Sequence, residues 1–296
     1  MNTEIIPDGT HIQPLWLYWS YDSEVSSLEI LIRNLDSEET VRVPINKNTN
    51  IDFRVGENRY CIGYPDENDE IIPCDSHRKV SKGFQCYECI KKDKLLGCVF
   101  CKGTECVNKD AWNYCQSNKH VIYLAVYTQD YIKVGTSNKN RVLFRLLEQG
   151  AQMAMIVGTL ENQMEAKLYE EKISKDFNIP QRTSRKILLE SISKRIDKGK
   201  ARTDSGLLLE KIQRKYDRID YSGEIINLFE PSLSDTHLEE IKPNELSEIK
   251  GQISYIQGRY LVIGNNLINA RDLIGRELII GGGKEIKPQQ LSLFDY

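Results

Sequence analysis

The chain has 296 residues, 40% hydrophobic and 28% charged, the balance of a globular protein with room for two or three small domains. No apolar run approaches the roughly 20 residues that a membrane-spanning helix needs. The opening MNTEIIPDGTHIQ has neither the basic start nor the apolar stretch of a secretory signal, so the sequence predicts a cytoplasmic protein with no membrane partner.

The net charge of −3 hides an asymmetry. Residues 182–218 hold 12 Lys/Arg against 5 Asp/Glu, a local charge of about +7, which leaves about −10 for the rest. A solvated helix face is the plainer reading of such a run. The functional reading is a surface that contacts a phosphate backbone, because clustered cations displace its counterions.

In chain order, residues 1–60 read as β-rich. Short β-prone segments at 15–18, 28–32, 41–44 and 51–55 are separated by polar turns such as Lys47-Asn48-Thr49-Asn50. All eight cysteines fall next, within the 55 residues from Cys61 to Cys115. In a reducing compartment that crowding points to metal rather than disulfides. Cys86-Tyr-Glu-Cys89 and Cys98-Val-Phe-Cys101 are C-x2-C knuckles, in which two thiolates grip one zinc ion while backbone amides face the sulfurs.

The simplest assignment gives two structural four-cysteine sites. One is Cys61, Cys74, Cys86 and Cys89; the other is Cys98, Cys101, Cys106 and Cys115. Interleaved pairing is equally allowed, and His77 could replace a cysteine in either. Free buried thiols or a redox pair are the alternatives. Neither knuckle lies in the βαβ setting that a redox pair usually occupies.

From residue 120 the chain predicts a hairpin (121–127 and 131–134), a helix over 141–148 with Asn140 as N-cap, a strand over 155–160 and a helix over 162–177. In that last helix Tyr169, Ile173 and Phe177 recur every four residues. Glu170 lies at the edge of the buried stripe, a costly place for an unpaired carboxylate. Residues 184–220 read as helical and basic. Residues 252–257, 260–264 and 277–280 return to β. The β segments at the two ends are expected to pack together as one split domain, with the middle inserted.

This order of hairpin, Arg-bearing helix, strand and Glu-bearing helix resembles the GIY-YIG nuclease domain. Val121-Ile122-Tyr123 stands where GIY would be, and Lys133-Val134-Gly135 where YIG would be. Glu165-Ala166-Lys167-Leu168-Tyr169-Glu170 resembles the E-A-x-x-x-E helix of that family. With the cysteines included, the chain resembles an uncharacterised, largely archaeal family that joins zinc-binding cysteines to a GIY-YIG-like domain. That similarity extends to Glu148-Gln149-Gly150-Ala151 and to residues 251–271.

The resemblance implies metal-dependent phosphodiester hydrolysis. Tyr123 would activate water, Arg145 or Arg141 would stabilise charge on the phosphate, and Glu170 would hold a catalytic Mg²⁺ or Mn²⁺. Lys133 replaces the YIG tyrosine and could bind phosphate instead. Plainer readings are core packing for Tyr123, a surface charge for Arg145, and pairing with a structural cation for Glu170.

The chain finishes Gln289-Gln290-Leu291-Ser292-Leu293-Phe294-Asp295-Tyr296. This resembles the sliding-clamp (PCNA) box Q-x-x-L-x-x-F-F/Y, with Gln290, Leu293 and Tyr296 at key positions and Phe294 beside them. A short 3₁₀ turn would place Leu293 and Tyr296 on one side. A terminal strand docked on the protein's own core is the alternative.

The sequence thus predicts an α+β protein. Its expected parts are a β-rich domain (1–60), a cysteine-rich zinc module (61–118), a GIY-YIG-like α/β core (119–182), a basic helical segment (183–220), a C-terminal β domain (221–283) and a clamp-binding tail (284–296). The expected function is a clamp-recruited endonuclease of DNA repair or replication, acting on DNA rather than RNA. A catalytically inactive nucleic-acid-binding adaptor and an RNA-processing or RNA-modification factor are the other readings.

Overall fold

The computed structural model describes residues 6–22, 25–66, 68–106, 108–231, 238–241, 245 and 247–281. The expected clamp-binding residues Gln290, Leu293, Phe294 and Tyr296 lie outside the described residues. Among the described residues no helix is long and apolar enough to cross a membrane.

The chain is a strand-rich α+β protein. It begins with strands β1 (His11–Asp22), β2 (Val25–Asn34), β3 (Thr40–Ile45) and β4 (Asn50–Arg59). Two short strands, β5 (Tyr64–Pro65) and β6 (Ile71–Ile72), precede helix α1 (Tyr87–Lys92). Then come α2 (Trp112–Ser117), β7 (His120–Thr128), β8 (Tyr131–Asn138), α3 (Val142–Gln149), β9 (Met153–Leu160) and α4 (Gln163–Asp176). Helices α5 (Arg185–Ser193) and α6 (Lys198–Lys215) and strands β10 (Asp220–Tyr221) and β11 (Ile225–Asn227) follow. The last elements are β12 (Glu239–Glu240), β13 (Glu248–Gln257), β14 (Tyr260–Ile263), β15 (Asn266–Asn269) and β16 (Arg276–Ile280).

These form two compact units. The first joins Met1–Asp93 to His237–Tyr296, and the second is Lys94–Thr236. The stretch 61–118, read from the sequence as one module, is divided between them. Cys61 to Cys89 belong to the first unit and Cys98 to Cys115 to the second.

The first unit is built on a nine-stranded sheet of order β12-β15-β14-β13-β4-β16-β1-β2-β3. All its pairings are antiparallel except β12 on β15. Strand β4 has C-terminal strands on both sides, Phe53 pairing with Ile249 of β13 and with Ile280 of β16. Neither end of the chain could close this ladder alone, because each backbone edge needs the other's hydrogen bonds. Leu15, Leu31, Ile62, Ile71 and Ile274 are buried together. The buried Gln13 amide donates to the carbonyls of Tyr60 (3.1 Å) and Cys61 (3.2 Å), fixing where β4 runs out into the cysteine segment.

The second unit holds an antiparallel sheet of order β10-β9-β7-β8, with β11 also on β9. Central strand β7 is buried along its whole length. Ile122 and Leu124 face α4 and α6, through Ala166, Tyr169, Ile173, Leu209 and Ile212. Val121, Tyr123, Ala125 and Tyr127 face the other way, with Leu146 of α3 and Ile187 and Leu188 of α5. A strand covered on both faces needs apolar residues at every position, hence the unbroken run rather than an alternation.

Helix α4 begins where Asn162 accepts a hydrogen bond from the Glu165 amide at 2.9 Å, an N-cap. At the start of α3 the expected cap moves. Asn138, not Asn140, accepts from a backbone amide, that of Asn140 itself, and opens a 3₁₀ turn over Lys139–Arg141 that leads into α3. The helix ends on Gly150 at φ 74°.

One glycine in the first unit is required by space as well as by φ. Gly63 stands at φ +97°, and a Cβ there would lie 1.8 Å from the Ile72 carbonyl oxygen. Gly63→Ala should therefore destabilise the first unit by about 2 kcal/mol or more, since the strained φ and the backbone clash add. Denaturant unfolding followed by near-ultraviolet dichroism measures this, and an unchanged midpoint would contradict the assignment.

Candidate functional site

Cys61 follows the end of β4, Cys74 follows β6, Cys86 is the N-cap of α1 and Cys89 lies within it. All four are buried, and their sulfurs lie within 4.8 Å of one another. The amides of Cys86 and Gly63 point at Cys61 Sγ from 3.1 and 3.4 Å. Cys74 Sγ lies 3.9 Å from Cys86 Sγ and 3.5 Å from the Ser76 hydroxyl. Arg33 donates to the Cys74 carbonyl at 2.8 Å and holds that loop in place.

Crowding is the test of what these sulfurs are for. Burial pushes the Cys89 thiol up, and the neighbouring Cys61 and Cys86 sulfurs push it further. Cys74, against its burial, is drawn down by hydrogen bonds from Ser76 and Arg78. A cation is therefore needed for Cys89 to ionise beside the others. The four cysteines could hold a metal ion such as zinc, with amide donors already aimed at sulfur. His77 is not part of the sulfur cluster.

The other four cysteines line one small cavity with Asn108, Ala111, Gln163 and Met164. Among the described residues, only the first set brings its ligand atoms within 4.8 Å of one another. Asn108 Nδ2 donates to Cys98 Sγ at 3.4 Å, and Cys106 Sγ donates to the Asn108 carbonyl at 3.2 Å. This segment lies against α4. Gln163 donates to the Cys98 carbonyl at 3.2 Å, and Gly103, at φ +83°, comes so close that a Cβ would lie 2.5 Å from the Leu168 amide nitrogen.

The β7–β8 hairpin sets out the second group of candidates. Tyr123 pairs across the strands with Gly135, and its ring lies over that glycine; a Cβ at Gly135 would be 2.6 Å from the phenol oxygen. The Tyr123 hydroxyl accepts from Gln149 Nε2 at 2.9 Å, while Gln149 Oε1 accepts from the Tyr127 hydroxyl at 3.3 Å. The amide is thereby held in one orientation. Tyr123 is 1% exposed, and burial pushes its phenol up to about 12, against the Arg145 guanidinium and the Gln149 amide. The phenol therefore stays protonated at neutral pH.

Arg141 and Arg145 both reach Glu148, at 3.3 and 3.2 Å, and Arg145 is the arginine whose charge is felt at Tyr123. Glu170 comes from α4, on the opposite face of the sheet. It is 5% exposed, ion-paired with Lys167 at 2.7 Å and 3.4 Å from the Thr136 hydroxyl on edge strand β8. Its charge reaches both Tyr123 and Lys133.

Lys133 is the anomaly. It is 7% exposed, yet its ammonium has no hydrogen-bond or carboxylate partner among the described residues. Burial pulls it down to about 8, and the Arg145 charge adds to that.

A family model described as a protein of unknown function, DUF2797, matches residues 48–278. The chain belongs to that family. No curated protein and no solved structure matches it. The DUF2797 match takes in every cysteine, the β7–β8 hairpin and α4, and leaves β1 to β3 outside.

Three participants in this DUF2797 site carried no assigned role in the sequence reading. Gln149 stood in the E-Q-G-A stretch without a partner. Lys167 sits three residues before Glu170, the spacing of a helix ion pair, and that signal was available. Thr136 faces Glu170 because β8 alternates sides, which only the register discloses.

Two outcomes follow. Elemental analysis of the purified chain should find zinc, and Cys89→Ser should lower the content by about one equivalent, since four thiolates share one ion; unchanged content would sink the first centre. Lys133→Met addresses the buried ammonium. A lysine lowered from 10.5 to about 8 costs stability below pH 8, and that cost disappears as pH rises through 10.5. Lys133→Met should then stabilise the chain at pH 7 by up to about 3 kcal/mol, and by progressively less towards pH 10. Paired denaturant curves across that range measure the difference; a flat or negative gain would show the ammonium to be solvated.

Proposed function

We propose that this DUF2797 protein acts on nucleic acid through a GIY-YIG-like phosphodiesterase site at the edge of the β7–β8 hairpin, with zinc on its cysteines as a structural staple. The observation that carries the reading is the partnerless ammonium of Lys133, on a largely buried side chain that feels the charges of Arg145 and Glu170. An ammonium with no anion of its own, under the added positive charge of Arg145, suits a phosphate group. The reducing cytoplasm keeps the eight thiols available for metal.

In this reading Lys133 and Arg145 hold the phosphate and offset its growing charge. The Tyr123 hydroxyl accepts from Gln149, so its own proton is left to donate, and it orients water rather than removing a proton from it. Glu170, now paired with Lys167, is the residue that would hold Mg²⁺ or Mn²⁺. When bound, that ion would polarise the phosphate and stabilise the leaving oxygen. Substrate entry requires the Gln149 amide to leave the phenol.

Helices α5 and α6 supply a second contact. Lys186, Lys200, Arg202 and Lys211 are exposed and have no acidic partner among the described residues. DNA is the favoured substrate because the tail bearing Gln290, Leu293, Phe294 and Tyr296 resembles a clamp-docking peptide.

Burial of the Tyr123 phenol and the Lys167–Glu170 pair favour a second reading, a nucleic-acid-binding adaptor that does not hydrolyse. An RNA-processing role shares the same phosphate chemistry. Flapped, branched and nicked DNA duplexes and matched RNA, incubated with Mg²⁺ or Mn²⁺, separate these readings. Metal-dependent cleavage is expected, reduced on the order of 10²-fold or more in Glu170→Ala with binding retained. Cleavage equal in both proteins, or absent from the wild type, would remove the hydrolytic reading; salt-sensitive binding alone would leave the adaptor.

A further inference from the structure

The first unit carries its own concentration of positive charge. Arg59, Arg259, Arg271 and Arg276 all act on the single carboxylate of Asp272. Arg59 and Arg271 both sit over the Phe84 ring, at 5.4 and 5.5 Å from its centroid. Arg59 Nη2 and Arg276 Nε both donate to the Asp272 carbonyl oxygen, at 3.4 and 3.0 Å. Guanidiniums are thus gathered on one ring and on one carbonyl, where like charges repel.

The donors of Arg59 and Arg276 are largely unspent. A guanidinium has five N–H donors, and Arg59 and Arg276 each use one on the Asp272 carbonyl, with no other acceptor among the described residues. The single Asp272 carboxylate does not neutralise Arg59, Arg259 and Arg276 together. Backbone geometry enforces the gathering: at Gly275, φ +77°, a Cβ would lie 2.9 Å from the Tyr60 carbonyl and 3.3 Å from Arg59 Cγ. Lys79, bridged to Tyr60 and lying 6.0 Å over its ring, adds a further cation at the end of β4.

We propose that Arg59, braced on Phe84, and Arg276, gathered with it on the Asp272 carbonyl, form a binding site in the first unit for the phosphodiester backbone of nucleic acid. The planar forks match pairs of phosphate oxygens, and stacking on the ring fixes the plane of Arg59 before the ligand arrives. The inference rests on the nucleic-acid reading above and adds to it a contact independent of the Lys133 site.

The test is fluorescence anisotropy of the full chain with short fluorescein-labelled single-stranded DNA, duplex DNA and RNA over a range of salt. Arg59→Gln/Arg276→Gln should weaken binding about tenfold or more and reduce the slope of log affinity against log salt by about 2, whereas Lys47→Gln should change neither. Wild-type binding with an unchanged double variant overturns the site alone. Wild type that binds no probe overturns it together with the nucleic-acid reading. Should the double variant fail to fold, phenylglyoxal modification of the wild type, mapped by mass spectrometry, decides: oligonucleotide should protect Arg59 and Arg276, and equal modification with and without it overturns the site.

Discussion

The Tyr123 ring lies where a side chain at position 135 would be, and much of the second unit follows from that contact. A glycine is needed because any Cβ would meet the phenol at 2.6 Å. The ring can cross there only because β7 and β8 pair in the register that sets Tyr123 opposite Gly135. That register also turns Thr136 towards α4 and Lys133 towards α3, since adjacent strand residues face opposite ways. A one-residue slip would exchange all of these positions. The chemistry of the hairpin edge is therefore fixed by packing before any charge is considered.

Charge is then placed at a cost. A lysine whose ammonium has no partner and a carboxylate with a single ion-pair partner both lie on largely buried side chains of the second unit. Burial of a charge is repaid only by close, well-oriented opposite charge. Glu170 has Lys167; Lys133 has only the more distant pull of Glu170, opposed by Arg145 and Lys167. Methionine would fill much the same volume without the penalty. A residue that destabilises its own fold in this way is best accounted for by a ligand that completes it. The phenol has no comparable strain, because its proton and its oxygen are compatible with the Gln149–Tyr127 relay.

What could be read in the sequence was local. The β7–β8 hairpin followed from two β-rich runs and a short polar link, and α4 from the recurrence of Tyr169, Ile173 and Phe177. The first four-cysteine cluster followed from knuckle spacing. Local signals err by a residue or two at boundaries, as at Asn138 and Asn140, where either side chain could have served as the cap. Long-range relations left no comparable trace. The cysteine-rich stretch looked continuous, yet its halves fold with different strands, because the contacts that divide it run to β1 and β16 on one side and to α4 on the other. The arginines around Asp272 come from the end of β4, the β13–β14 turn and the approach to β16, so nothing in their spacing marks them as neighbours.

Both cysteine segments have little apolar content, and each lies beside residues whose geometry matters for charge. In the first unit Phe84, two residues before Cys86, gives its carbonyl to the Ile62 amide and its ring to Arg59 and Arg271. In the second, Gly103 and the Cys98 carbonyl press on the first turns of the helix that presents Glu170. A loop free to choose among conformations could not hold a guanidinium plane; an ion held by Cys61, Cys74, Cys86 and Cys89 would remove most of that freedom at once. The cysteines thus need no reaction of their own to matter. With an ion in place, the first set would make Phe84 a rigid support for guanidiniums drawn from distant parts of the chain.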